Sequence, residues 1–335
     1  DALDRSEFVP LVVYDRKGAF ADALAQRDIE SLFLPLRLGG RPWRWLTRNR
    51  HIRTLIQLAT DRRAALVHSS YLWMGHYMKA IALATSIPSI LHVRKPLSSR
   101  QVKKYRCRNA DHLICISKRS HTNLLDAGIA ANRLCLICDG VDLDIYHPLA
   151  QKHPPAELTI GMAGRISRRK FQLECLQAAA ILAGQGVPVQ VFLAGEAREP
   201  EYKDQLDAFA RDNGLDNRVT LLGHIDSMSE FLNGLDVLVS LSGGSVMYEA
   251  MACGTAVLSA GFTPASGAMH LRDNDTGVRL NSHDPHNIAA ALKTLWDDPD
   301  RRATLAQNGL TEARAHLGRD TMANQTIQLY RSLLQ

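Results

Sequence analysis

The sequence predicts an α/β chain of two doubly wound, Rossmann-like domains facing each other across a cleft. Short apolar runs alternate with amphipathic stretches along almost the whole chain, the pattern of βαβ units and a parallel sheet. The alternation stops once, at the polar, proline-rich segment Tyr146-His-Pro-Leu-Ala-Gln-Lys-His-Pro-Pro155, and then restarts. A length of 335 residues also suits two cores of ordinary size. The expected division is a first domain over 1–147, a linker over 148–156, a second domain over 157–316, and a C-terminal helix over 317–335 that packs back on the first domain.

In the first domain the apolar runs place strands at 8–14, 29–35, 64–68, 89–93, 112–116 and 133–137. Helical stretches fall between them at 19–26, 43–59, 73–85 and 118–126, the last with Ser117 as its N-cap. In the second domain strands are expected at 158–162, 189–194, 219–222, 237–241 and 256–259. Helices are expected at 171–183, 201–212, 246–253, 288–296, 301–316 and 321–334. The segment 2–8 reads as the tail of a helix entering a strand, so the natural chain is expected to begin earlier than Asp1.

Composition excludes several classes. No run approaches the roughly 18 apolar residues of a spanning helix, and no basic-then-apolar leader opens the stretch given, so a cytoplasmic setting is expected. The six cysteines are scattered, which suits a reducing compartment. Charge is uneven. Up to residue 150 there are 23 Lys and Arg against 13 Asp and Glu; beyond it there are 17 against 21. A basic first half points to an anionic partner, whether a membrane surface, a phosphorylated acceptor or nucleic acid.

The segment Gly161-Met-Ala-Gly-Arg-Ile-Ser-Arg-Arg-Lys170 lies between a strand and a helix, at the carboxyl end of the second domain's first strand. Open α/β sheets bind ligands at that end. Gly164 lets backbone approach a ligand, Arg165 offers a fork for phosphate oxygens and Lys170 a mobile point charge. By itself the segment reads equally as a solvated basic loop. The second segment is Leu241-Ser-Gly-Gly-Ser-Val-Met-Tyr-Glu-Ala-Met-Ala-Cys-Gly-Thr255. Gly243, Gly244, Ser245 and Val246 open an apolar helix whose free N–H groups and dipole suit an anion. Glu249 follows one turn in, within reach of a ribose.

Together these segments resemble the retaining GT-B glycosyltransferases of the family 4 type, which include bacterial polysaccharide and lipopolysaccharide glycosyltransferases. Gly164-Arg165 with Lys170 is similar to that family's Gly-Arg-x4-Lys signature, and Glu249-Ala-Met-Ala-Cys-Gly254 to its Glu-Ala-Met-Ala-Cys-Gly. Weaker likenesses fall in order: Asp139-Gly-Val-Asp142, Leu193-Ala-Gly195-Glu, Leu221-Leu-Gly-His224 and Thr276-Gly277. The resemblance implies a UDP- or GDP-sugar donor and no required metal, since Arg165 and Lys170 would neutralise the departing diphosphate. It also implies Glu249 on the ribose and His92, at a strand end in the first domain, near the donor sugar. Gly195 and His224 would line the donor site. The acceptor would be a glycan or a lipid-linked sugar, in bacterial surface polysaccharide assembly.

One departure stands out. The family's Glu-x7-Glu pattern places a carboxylate on the donor sugar, but the position eight before Glu249 is Leu241, and its neighbour is Ser242. A catalytically weak nucleotide-sugar binding or scaffold protein of the same fold is therefore the alternative. A nicotinamide-dependent oxidoreductase is not, because no compact Gly-x-Gly-x-x-Gly is present. Asp142-Leu-Asp144 spells a DxD, read here as a turn and not as a metal site. Cys135 and Cys138 lack a second ligand pair at zinc spacing and read as buried thiols. Arg41, Trp43 and Arg44, with Arg94 and Lys95, form basic and aromatic clusters. They suit either a solvated face or the inner surface of an anionic cytoplasmic membrane, to which the chain would bind peripherally. No nucleic-acid reader motif accompanies them.

Overall fold

The computed structural model describes residues 3–36, 44–149, 156–260 and 269–335, with backbone alone over 44–47. Arg41 and Trp43 fall outside the described residues, and Arg44 is described by its backbone only. The chain forms two compact units, one of 1–137 with 323–335 and one of 138–322.

The first unit opens with β1 (Leu11–Tyr14), α1 (Ala19–Gln26) and β2 (Glu30–Phe33), the two strands pairing in parallel. After α2 (Arg44–Asp61) come β3 (Val67–Ser69), α3 (Gly75–Thr85), β4 (Ser89–Val93), α4 (Ser99–Lys104), β5 (His112–Cys115), α5 (Lys118–Asp126) and β6 (Leu134–Leu136). These four strands form a second parallel sheet in the order β3-β4-β5-β6. All five residues of β4 are buried, as a strand covered on both faces requires. Ser117 caps α5 as expected, its hydroxyl accepting from the Ser120 N–H at 3.2 Å. The short α4, not anticipated from the sequence, is held by a capping box between Ser98 and Gln101.

Among the described residues the two sheets of this unit do not join. There β1 and β3 each keep one unpaired edge, and a cavity of about 1150 Å³ lies beside them, walled by Leu11, Val13, Leu66 and Val67. Every residue of β1 and β3 is only half-buried. Val9, on the same wall, is 85% exposed.

The second unit runs β7 (Leu158–Ala163), α6 (Gln172–Gly184), β8 (Val189–Ala194), α7 (Pro200–Asp212), β9 (Val219–Gly223), α8 (Met228–Asn233), β10 (Val237–Ser240), α9 (Val246–Ala252), β11 (Ala256–Ala260) and β12 (Val278–Leu280). Helices α10 (Pro285–Asp297), α11 (Pro299–His316) and α12 (Arg319–Leu334) complete the chain. Its six described strands, all parallel, lie in the order β12-β11-β10-β7-β8-β9. Period-2 alternation sorts their side chains between two cores. Val237, Val239, Ala256 and Leu258 join Leu158, Ile160 and α6 on one face, while Leu238 and Val257 meet Met247, Met251 and Leu232 on the other. Gly161 admits this packing because a Cβ there would sit 2.1 Å from the Leu235 side chain.

The chain crosses between units at 137/138, ahead of the proline-rich stretch, and again at 322/323. The start of that stretch is fastened to α8: the Ser229 hydroxyl donates to the Ile145 carbonyl at 2.7 Å, and the Asn233 amide donates to the His147 carbonyl at 3.0 Å. The Leu149 N–H in turn donates to Asn233 Oδ1 at 2.9 Å. Helix α12 therefore begins with the second unit and ends with the first. Its last turns are tied there by Tyr330, edge-on to Phe8 and bonded to His68, and by Arg331 on Glu7.

Candidate functional site

Strand order reverses in the second unit between β7 and β10. From β7 the chain winds outward through β8 and β9, then returns to β10 on the other side. Loops leaving the carboxyl ends of the two strands at such a switch point diverge and leave a crevice. Both sequence motifs are on those two loops: 164–170 follows β7 and 241–245 follows β10.

The first loop is fixed by backbone contacts alone at its start. The Gly164 N–H donates to the Ala194 carbonyl at 2.8 Å, the Ile166 N–H to Glu196 at 2.9 Å, and the Gly195 N–H to Gly223 at 2.7 Å. Strand ends β7, β8 and β9 are thereby laced together, with Gly164 and Gly195 both at positive φ. At Gly195 a Cβ would stand 2.1 Å from the Gly164 carbonyl oxygen, so no other residue fits. The Lys170 side chain folds back over Gly164, its Cε 3.3 Å and its Nζ 3.5 Å from where a Cβ would be.

Gln172, only 2% exposed, holds the loop from inside. Its amide donates to the Arg165 carbonyl at 3.0 Å, and its oxygen accepts from the Ser167 N–H at 3.4 Å. In the sequence this residue carries no signal beyond a polar side chain at the head of a largely apolar helix.

The basic residues of the loop divide in their use. Arg168 is taken up by α7, lying 5.2 Å over the Tyr202 ring and donating to Gln205 at 2.9 Å. Arg165 is exposed and Lys170 half-buried, and among the described residues neither side chain meets a carboxylate. Burial lowers the Lys170 pKa from its ordinary value, and Arg165 and then Arg169 lower it further. The pair is a concentration of positive charge with no carboxylate partner among the described residues.

On the second loop Gly243 and Gly244 have φ of 70° and 131°, which a side chain would resist. Ser245 stands at the head of α9 without a side-chain capping bond. Glu249 is partly buried; burial raises its pKa, and a hydrogen bond with Ser245 opposes that rise. Val246 packs against the core below, and the His224 side chain is exposed just beyond β9. At the position of the family's sugar-binding carboxylate, Leu241 is 1% exposed and belongs to the hydrophobic core. The two loops share a neighbour: His283 stacks on Phe171, next to Lys170, and bonds the Leu241 carbonyl.

His92 lies in the first unit, near the end of β4. It is 7% exposed and stacked on His68 at 5.7 Å, and its Nε2 has no partner among the described residues. Burial first, and Arg94 second, pull its pKa down to about 4, so the ring is neutral at pH 7. Arg94 and Lys95 follow on the surface, Lys95 lying 5.6 Å over the Tyr105 ring. The DxD carboxylates have a structural use, for Asp142 and Asp144 both bind the Arg319 guanidinium at the head of α12. Thr276 is buried and closes its turn by donating to the His270 carbonyl at 2.7 Å.

Residues 149–311 match the family model described as glycosyl transferases group 1, and residues 5–145 match that of glycosyltransferase family 4. The chain is 28% identical over 253 residues to a D-inositol 3-phosphate glycosyltransferase of Thermomonospora curvata, covering 66% of this chain and 57% of that protein. It is 28% identical over 232 residues to the lipopolysaccharide core biosynthesis glycosyltransferase LpsE of Rhizobium meliloti, covering 67% and 65%. The chain thus spans less than two thirds of the length of these curated relatives. Among solved structures, Anabaena Alr3699/HepE in complex with UDP and glucose superposes with a TM-score of 0.79 at 23% identity, covering 96% of this chain and 91% of that one. A glycosyltransferase from Rickettsia africae gives 0.87 at 14% identity, with 98% and 91% covered. The likeness to these structures is one of fold, GT-B in both units.

Proposed function

We propose a specific reaction for this chain, which belongs to the GT-B glycosyltransferases of the family 4 type: transfer of a sugar, with retained configuration, from a nucleotide-diphosphate donor to a glycan or lipid-linked acceptor. The observation that carries the proposal is the uncompensated Arg165 and Lys170 pair at the β7/β10 switch point. A donor diphosphate seated there supplies the missing counter-charge. As the bond to the sugar breaks, negative charge grows on the leaving diphosphate, and fixed cations stabilise that change most. The two cations take the part a metal plays in other transferases, so a chelator is expected to leave transfer unchanged.

The 243–245 turn offers backbone N–H groups to the same phosphates, and Glu249 accepts from the ribose hydroxyls. Neutral His92 serves the donor sugar, and the basic surface of the first unit, Arg94 and Lys95 included, serves an anionic acceptor or leaflet. UDP in complex with the Anabaena protein, and the lipopolysaccharide role of the Rhizobium relative, support a UDP-sugar donor and a surface-glycan setting.

The test is nucleotide release from UDP-glucose and a panel of other nucleotide-diphosphate sugars. Lys170→Ala should lower turnover by about 10²–10³, the usual cost of removing one transition-state charge contact, with little change in melting temperature. Unchanged turnover removes Lys170 from the reaction. Leu241 favours a second reading, a protein that binds nucleotide-sugar and transfers poorly. Tight binding with no release from any donor, acceptor supplied, would establish it.

A further inference from the structure

We infer that His283 is a positioning residue that sets the two donor-phosphate loops against each other. The inference rests on the donor-binding reading above. His283 lies on neither loop; it follows β12, just before α10. Its ring stacks on Phe171 with centroids 3.9 Å apart and planes 12° from parallel. Its Nε2 is 2.7 Å from the Leu241 carbonyl oxygen. That oxygen only accepts, so the ring carries its proton on Nε2 and donates.

Each contact falls where a loop's course is decided. Phe171 immediately follows Lys170 and has φ of 60°, a left-handed conformation that a bulky side chain adopts only when its surroundings compel it. The His283 ring covers one face of Phe171 and so opposes rotation out of that conformation. Were Phe171 to relax, the direction of the Lys170 backbone would change with it, and Lys170 would leave Gly164. Leu241 is the last residue before the Ser242-Gly243-Gly244-Ser245 turn. Gly243 and Gly244 have little conformational preference of their own, so the turn depends on how its first carbonyl is held. One imidazole therefore fixes the exit of one loop and the entry of the other, across the switch point.

The tests use the full chain with UDP as probe, by calorimetric titration. His283→Ala should bind UDP about tenfold more weakly, a loss within the range for contacting residues that act as one unit. In a Lys170→Ala background the same substitution should cost about threefold or less, because much of its effect runs through Lys170. His283→Phe keeps the stack and removes the donor. It should fold as the parent does, by melting temperature, and lose affinity to an intermediate degree. UDP affinity unchanged in His283→Ala and His283→Phe overturns the inference. So does a full, additive loss in the Lys170→Ala background, which would mark His283 as a general support of the unit. Absence of UDP binding by the parent chain, or equal binding by Lys170→Ala alone, instead overturns the donor-site reading and the inference with it.

Discussion

Gly195 and Gly244 are both at positive φ, but for different reasons. At Gly195 the obstacle is the Gly164 carbonyl, 2.1 Å from any added Cβ; at Gly244 nothing lies within 4 Å. Gly244→Ala should therefore cost only conformational strain, about 1–3 kcal/mol, whereas Gly195→Ala adds the displacement of a strand end, about 1–3 kcal/mol more. Calorimetric melting checks the order: Gly195→Ala should lower the second unit's transition well below that of Gly244→Ala. At this scale the legible residues were those with a local signature. Gly164, Arg165, Lys170 and Glu249 stand within short motifs whose spacing survives in the sequence. Gln172 and His283 act through contacts to the Arg165 and Leu241 carbonyls, 7 and 42 positions away. A side chain that bonds another residue's backbone leaves no trace in that residue's identity, so neither was readable.

Among elements, β3 and β4 carry a linked pair. His68 and His92 stack, and burial holds both rings near pKa 4, helped by His92 for the first and Arg94 for the second. The ordinary value is 6.5, so below it the unfolded chain takes up protons that the folded chain refuses. Stability is full above about pH 6.5 and falls as pH drops toward 4, levelling beneath that. The ceiling is about 3 kcal/mol for each ring at 1.36 kcal/mol per unit. Urea midpoints at pH 7 and pH 5 measure the loss, and His68→Phe should flatten it; an equal slope in that variant would place the titration elsewhere. Elements with strong apolar runs, β4, β7, β8 and β10, were legible because a strand covered on both faces needs little else. The start of α6 was not. The sequence favours a helix from 171, but Phe171 turns left-handed and the helix begins at Gln172. The ring stacked on Phe171, His283, lies outside the local window.

For the whole molecule, two doubly wound units were legible from the alternation of the pattern. The crossing points were not, because the proline-rich stretch looks like a linker while its first residues are bonded to α8. The units also differ in their described sheets. Among the described residues, the second has one continuous six-stranded sheet; the first has a two-stranded and a four-stranded sheet with the cavity beside β1 and β3. Amide exchange should follow this difference. β7, β8 and β10 should open only with global unfolding, and β1 and β3 by local opening at much lower free energy. Equal protection of β1 and β7 by mass spectrometry would contradict it.

The same seam bears on how the protein behaves in a concentrated solution. Parallel edges that no described strand pairs, beside Val9 and other exposed apolar side chains, offer a neighbouring molecule both hydrogen-bonding groups and a greasy surface. Such contacts grow with concentration and are weakened little by salt. The net charge of +6 supplies the opposing repulsion, and salt screens it. Colloidal stability should therefore be greatest in dilute, low-salt buffer.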